Sequence, residues 1–157
     1  MRHLSFQNTG LHLFLFLIFL SPLPCYAQND GVKSVDAAWV AAMKNNDVDA
    51  VIRCYAADAV AWLPGAPMAR GEKAIRSLYE GLLSANTVME VGLSEVAYKT
   101  EGATSLAWGR FSLTLVPKSS GKPAVMTGRF TEIAEQRDGR WLYIVDHASA
   151  DPSEPPR

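Results

Sequence analysis

The chain reads as an α+β domain in which three N-terminal helices lie on an antiparallel sheet. Three observations predict this. Between Val35 and Leu82, apolar residues recur at helical spacing in three short runs. After Thr87 the chain breaks into four long strands at Glu101-Gly102, Lys118–Pro123 and Asp138-Gly139, the last a hairpin signal. Helices this small cannot bury their faces on one another alone and need a sheet to lie on.

The first helix carries a stripe of Val35, Ala38, Trp39, Ala42 and Met43, with Ser34 placed to cap it. Asn45-Asn46 stops it, since both residues compete for the backbone and tolerate turns. Asp47 then caps a second helix with the stripe Val48, Val51, Ile52, Tyr55 and Ala56. Val60 to Leu63 is a short strand closed by Pro64-Gly65, and a third helix opens at Gly71-Glu72 with Ala74, Ile75, Leu78, Tyr79 and Leu82 on its stripe. The strands span Thr87–Lys99, with a bulge expected at Gly92 or Ser94 where the parity changes, then Thr104–Pro117, Ala124–Arg137 and Trp141–Ser149. On the second of these, Leu106, Trp108 and Arg110 share one face while Ala107, Gly109, Phe111, Leu113 and Leu115 share the other. The helices can cover only one apolar face, so a homodimer through the outer sheet face is expected.

A length of 157 residues suits one domain, and a net charge of −1 with no basic block argues against a nucleic-acid face or an anionic-membrane patch. Residues 1–27 resemble a secretory signal peptide: Arg2, the apolar run Leu11 to Leu20, a break at Ser21–Pro24, and Ala27 before the expected cleavage. The run is about half of the roughly 20 residues that span a bilayer, so no stable membrane anchor is expected after cleavage. Pro22-Leu23-Pro24 is not the small-residue pattern that precedes a lipid-attachment cysteine. The expectation is an exported chain, periplasmic or secreted, with one domain over 28–150 and a disordered tail over 151–157. Cleavage leaves Cys54 without an intrachain partner, beside an apolar stripe where it reads as a small buried hydrophobe. It also leaves His147 as the one histidine, which excludes a multi-histidine metal site. No metal or organic cofactor is expected: there is no Gly-rich phosphate loop, Ser-His-Asp order or Cys-x-x-Cys pair.

Several segments carry a family resemblance: Trp39–Met43, Asn46–Ala50, Tyr55–Val60, Pro64-Gly65, Gly71–Arg76 and the ending Gly128–Ser149. Together they resemble the nuclear-transport-factor-2-like superfamily, which includes SnoaL-like and ketosteroid-isomerase-like proteins, and in particular its small secreted members. The resemblance implies a cone: a strongly curved antiparallel sheet wrapped around three helices, with a pocket at the wide end. Ketosteroid isomerases place a tyrosine and a buried protonated aspartic acid as oxyanion donors, with a second aspartate as base. The positions matching the tyrosine and the base are Trp39 and Leu63. Leucine accepts no proton, so the same machinery is not expected here.

His147 is the foremost catalytic candidate, because a histidine near a strand end can act as acid or base near neutral pH. Asp146 is its neighbour and so points to the opposite face. Arg110 and Arg129 could grip a ligand carboxylate bidentately or make a surface or interface salt bridge. A two-residue Asp138-Gly139 loop would set Phe130 against His147 and put Arg129 and His147 on opposite faces; a one-residue bulge would bring them together. Trp39, Trp62, Tyr79 and Trp108 could line an apolar cavity or be ordinary core. Three functions follow: an exported pocket protein for a small apolar or carboxylate-bearing molecule; an isomerase, cyclase, hydrolase or dehydratase using His147; or a dimeric association module without ligand.

Overall fold

The computed structural model describes residues 30–152. The expected signal peptide and residues 153–157 of the tail lie outside the described residues. The elements are α1 (Val32–Lys44), α2 (Val48–Ile52), β1 (Tyr55–Trp62), β2 (Ala69–Arg70), α3 (Gly71–Ala85), β3 (Asn86–Glu101), β4 (Thr104–Pro117), β5 (Ala124–Arg137) and β6 (Arg140–Ala150). The strands form one curved sheet in the order β2-β1-β6-β5-β4-β3, antiparallel except where β1 runs parallel to β6. α1 lies against β3, β4, β5 and β6, and α3 against β1, β2 and β3, so the helices fill the concave side.

Local chemistry explains the boundaries of the first three elements. α1 begins two residues before Ser34: its Val32 N–H donates to the Ser105 side chain of β4 (2.9 Å), and Gly31 precedes it at φ +55°, where an added Cβ would strike that same hydroxyl. Its buried stripe is Val32, Val35, Asp36, Ala42 and Met43, with Trp39 half-buried; Ala38 is exposed, and Asp36 takes the core position expected of it. Asp47 caps α2 as expected, accepting from Ala50 N at 2.9 Å. α2 ends at Ile52, however, and Tyr55 and Ala56 belong to β1 rather than to its stripe. Cys54 O accepts from Tyr143 N (2.8 Å), so β6 takes over backbone hydrogen bonding there. β1 therefore starts five residues earlier than expected. Cys54 itself is buried, with its thiol pushed up to about 11 by burial, as a packed hydrophobe would be.

Bulges bend the sheet. On β3 the register shifts between Val88 and Glu90 and between Ser94 and Ala97, the latter containing Glu95 at φ +53°, rather than at Gly92 or at Ser94 itself. On the β5–β6 hairpin, Ile133 faces Val145 and Ala134 faces Tyr143, leaving Ile144 as the extra residue. That bulge sets Thr131, not Phe130, against His147 and puts Arg129 on the same face as His147. Asp151, expected in the disordered tail, instead extends the sheet: its N–H donates to Thr127 O at 2.9 Å and its carboxylate takes Arg110 at 2.6 Å.

Gly128 of β5 faces Phe111 of β4, and a Cβ there would collide with both the Phe111 ring and Ser149 O. Removing the side chain lets the ring lie over the strand on the concave side. Gly128→Ala should therefore cost about 1–3 kcal/mol through overpacking, measurable as a lowered denaturant midpoint at unchanged m-value.

Candidate functional site

Between the helices and the sheet lies a cavity of about 280 Å³. Its walls are apolar: Met43, Leu78, Leu82, Val91, Phe111, Leu113 and Phe130 among others. Its polar lining is Trp39, Tyr79, Glu132 and Asp146, with the exposed Ser112, and no Lys, Arg or His among the described residues.

Four elements meet at Asp146, which is buried on β6. Tyr55 O–H from β1 donates to Asp146 Oδ2 at 2.5 Å. Tyr55 and Tyr79, the latter from α3, are 2.7 Å apart at their hydroxyls, and Trp39 Nε1–H from α1 donates to Tyr79 at 3.0 Å. A second buried group adjoins the first: Tyr143 O–H donates to Asp36 Oδ1 at 2.7 Å, and Glu132 of β5 sits opposite Asp146 in the sheet register. Asp36, Glu132 and Asp146 are each at most 6% exposed.

Burial governs the protonation of Asp146 and Glu132. It pushes the Asp146 carboxyl up to about 6, with the Tyr55 hydrogen bond opposing the rise and the neighbouring Asp36 adding to it. Burial, then the nearby Asp146 and Asp36, push Glu132 well above the ordinary carboxyl range. Tyr55, Tyr79 and Tyr143 are likewise driven up, first by burial, and stay protonated as donors. Tyr98, at the edge of this cluster, is raised to about 12 by desolvation and by Asp36. Among the described residues no group of three or more His, Cys, Asp or Glu is arranged to hold a metal ion.

Of the residues singled out from sequence, Trp39 and Tyr79 line the cavity. His147, Trp62, Trp108, Arg110 and Arg129 do not; they lie on the outer face. His147 is exposed, with its ring 6.5 Å from that of Trp62. Trp62, His147, Thr131 and Trp108 form one row across the strands, and Arg129 and Arg110 pair in the next, where both face Asp151. Trp108, Arg110 and Arg129 border an open hollow of about 570 Å³ rather than an enclosed site. The expected opposition of Asp146 and His147 holds, but the side facing the cavity is the aspartate's. Sequence reasoning missed Asp36, Tyr55, Glu132 and Asp146. A signal did exist: Glu132 shares strand parity with Phe130 and Ala134, and Asp36 falls on the apolar stripe of α1.

The SnoaL-like domain profile matches residues 37–144. This chain belongs to the SnoaL-like domain family. Many solved structures share its fold, three of which illustrate the likeness. A candidate calcium/calmodulin-dependent protein kinase II association domain from Xanthomonas campestris is 25% identical, with TM-score 0.72, covering 84% of this chain and 94% of that one. A ketosteroid isomerase-like protein from Erwinia carotovora atroseptica is 18% identical, with TM-score 0.70, covering 82% and 100%. A nuclear transport factor 2-like superfamily protein from Salmonella enterica serovar Typhimurium is 14% identical, with TM-score 0.70, covering 79% and 91%. No curated protein matches this SnoaL-like chain. The family includes ligand-binding and enzymatic members.

A carboxyl raised on folding from 3.8 to about 6 binds its proton more tightly in the native state. It contributes stability below about pH 4, loses it as the pH climbs to about 6, and carries the full penalty above that. Asp146→Asn, which keeps an acceptor for Tyr55, should thus be more stable than the wild type at pH 7 by about 3 kcal/mol, with the gap closing towards pH 4. Chemical denaturation of both proteins across that range checks this.

Proposed function

We propose that this SnoaL-like chain is an exported protein that binds a small, largely apolar molecule with one polar end in the cavity beneath α1 and α3. The observation carrying this reading is the pairing of apolar walls with a cluster of polar groups at one buried end, the usual form of a small-molecule site. The volume stands near the lower bound of about 300 Å³ for such sites, so the molecule is small. An anionic ligand is disfavoured: the arginines that suggested a carboxylate lie on the outer face, and the lining carries two carboxyls, Glu132 and Asp146. A second reading is acid–base catalysis within the same cavity. It is favoured by Asp146, whose carboxyl at about 6 is a base poised near neutral pH beside the far weaker acid Glu132. His147 has no access to that space.

Native mass spectrometry of protein recovered from the periplasm tests both export and binding. The mass should correspond to a chain beginning at Gln28, with a fraction carrying a small ligand. Gly81 lines the cavity from α3, and nothing stands within 4 Å of a Cβ there. Gly81→Leu should fill the space without a clash and remove the bound fraction, whereas His147→Ala should leave it as in the wild type. A ligand that survives Gly81→Leu but leaves with His147→Ala would place the site elsewhere.

The outer face supports a homodimer. Val60, Val145, Ile133 and Leu106 form an apolar row there, next to the row holding Trp62 and Trp108, which are 40% and 46% exposed. A second copy would cover both rows. Sedimentation should show a dimer for the wild type and a folded monomer for Trp108→Glu.

A further inference from the structure

The hydrogens at the buried end of the cavity can be counted. Tyr55 spends its proton on Asp146 Oδ2, so the short contact between the two phenols must be donated by Tyr79. Tyr79 in turn accepts from Trp39. The relay therefore runs one way, Trp39 to Tyr79 to Tyr55 to Asp146, and every proton in it is used. Among the described residues the Asp146 side chain accepts only at Oδ2, which leaves Oδ1 over on a residue that lines the cavity.

The second group closes in the same manner. Tyr143 spends its proton on Asp36 Oδ1. Among the described residues, the buried side-chain oxygens left without a partner are Asp36 Oδ2 and Glu132 Oε2, which belong to carboxyls within hydrogen-bonding reach of each other. Two acceptors facing one another out of water are costly, and one proton between them satisfies both. Tyr143 already supplies Asp36 Oδ1, so Asp36 Oδ2 is the oxygen still in need of a donor, while burial keeps Glu132 neutral and able to donate. The proton then sits on Glu132 Oε2 and points at Asp36. What Glu132 offers the cavity is its carbonyl oxygen, Oε1.

We propose that the cavity selects molecules presenting hydrogen-bond donors, a hydroxyl or amino group on an apolar body, received by Asp146 Oδ1 and Glu132 Oε1, with Asp36 as the positioning residue that turns the Glu132 proton away. This rests on the reading of the cavity as a small-molecule site and specifies what the site accepts. A ligand whose only polar group is a ketone or ether meets oxygen lone pairs there, and sites of fixed hydrogen-bonding sense discriminate strongly between such pairs.

The test is calorimetric titration of the full exported chain with 4-ethylphenol, a donor, and 4-methylacetophenone, an acceptor of similar size. The phenol should bind at least tenfold more tightly. In Asp146→Asn the side-chain oxygen can still accept from Tyr55 while the amide N–H faces the cavity, so the phenol should lose at least tenfold and the ketone gain. Glu132→Gln can donate its amide to Asp36 and keep its carbonyl towards the cavity, so it should retain most of the preference that Glu132→Leu loses. Equal affinities in the wild type, or a preference untouched by Asp146→Asn, would overturn the inference and leave the binding site standing. If neither compound bound, the binding reading would fall and take this inference with it.

Discussion

One buried carboxylate ties the molecule together. Asp146 receives, directly or through one or two intermediaries, hydrogen bonds that begin on β1, α3 and α1. Tyr55, Tyr79 and Asp146 are buried, so each must find its partner within the fold. The orientation of α1 and α3 over the sheet is therefore specified by hydrogen-bond direction as well as by apolar contact. Hydrophobic burial alone would hold the helices near the sheet, but it is indifferent to small slides and rotations. A relay ending on a single oxygen is not.

Polar specification has a cost that an apolar core would avoid. Three carboxyls share a space whose lining holds no Lys, Arg or His among the described residues, and burial drives two of them towards the neutral form. Proteins retain such arrangements at sites where the groups do work, and replacing them commonly raises stability at the expense of that work. The contrast with the surface is instructive. Asp49–Arg76, Asp58–Arg137 and Asp151–Arg110 are paired charges of the ordinary kind, each with a cation in contact and at least one partner exposed. Asp146 and Asp36 accept from tyrosine hydroxyls in place of counter-charges, and Asp146 and Glu132 line the cavity, where their protonation is sensitive to whatever enters it.

The fold was legible in the sequence because its signals are local and repeated. Stripes in α1 and α3 and the Asp138-Gly139 turn each belong to one element, and the cap at Asp47 needed only the next three residues. The errors arose where two periodicities fit the same residues. Tyr55 and Ala56 satisfy a helical stripe begun at Val48 and are equally well placed at the start of a strand; the choice went to β6, whose backbone captures Cys54 O. An acidic residue type argues against a core stripe, so periodicity favours Ala38 over Asp36, yet the Asp36 carboxyl is answered from β6 by Tyr143, 107 residues away. No window of sequence contains that answer.

The site turned on one residue of parity. Without the bulge at Ile144, the hairpin would carry its Asp138-Gly139 register unbroken and set His147 against Phe130. Phe130 faces the cavity, so His147 would have faced it as well, and Asp146 would have been turned outward with the arginines. The extra residue reverses this, because side chains alternate along a strand and one inserted residue exchanges the two faces. The same five-residue stretch, Ile144 to Ala148, thus encodes either a histidine site or a carboxylate site according to a feature that carries no distinctive residue type: Ile144 is neither glycine nor a turn former. What favours the bulge is on both sides of it. Tyr143 must reach Asp36, and Asp146 must reach Tyr55, and both side chains have to point into the concave side although three positions apart. An unbroken strand cannot place residues of opposite parity on one face, so the pair of buried hydrogen bonds and the irregularity between them stabilise each other.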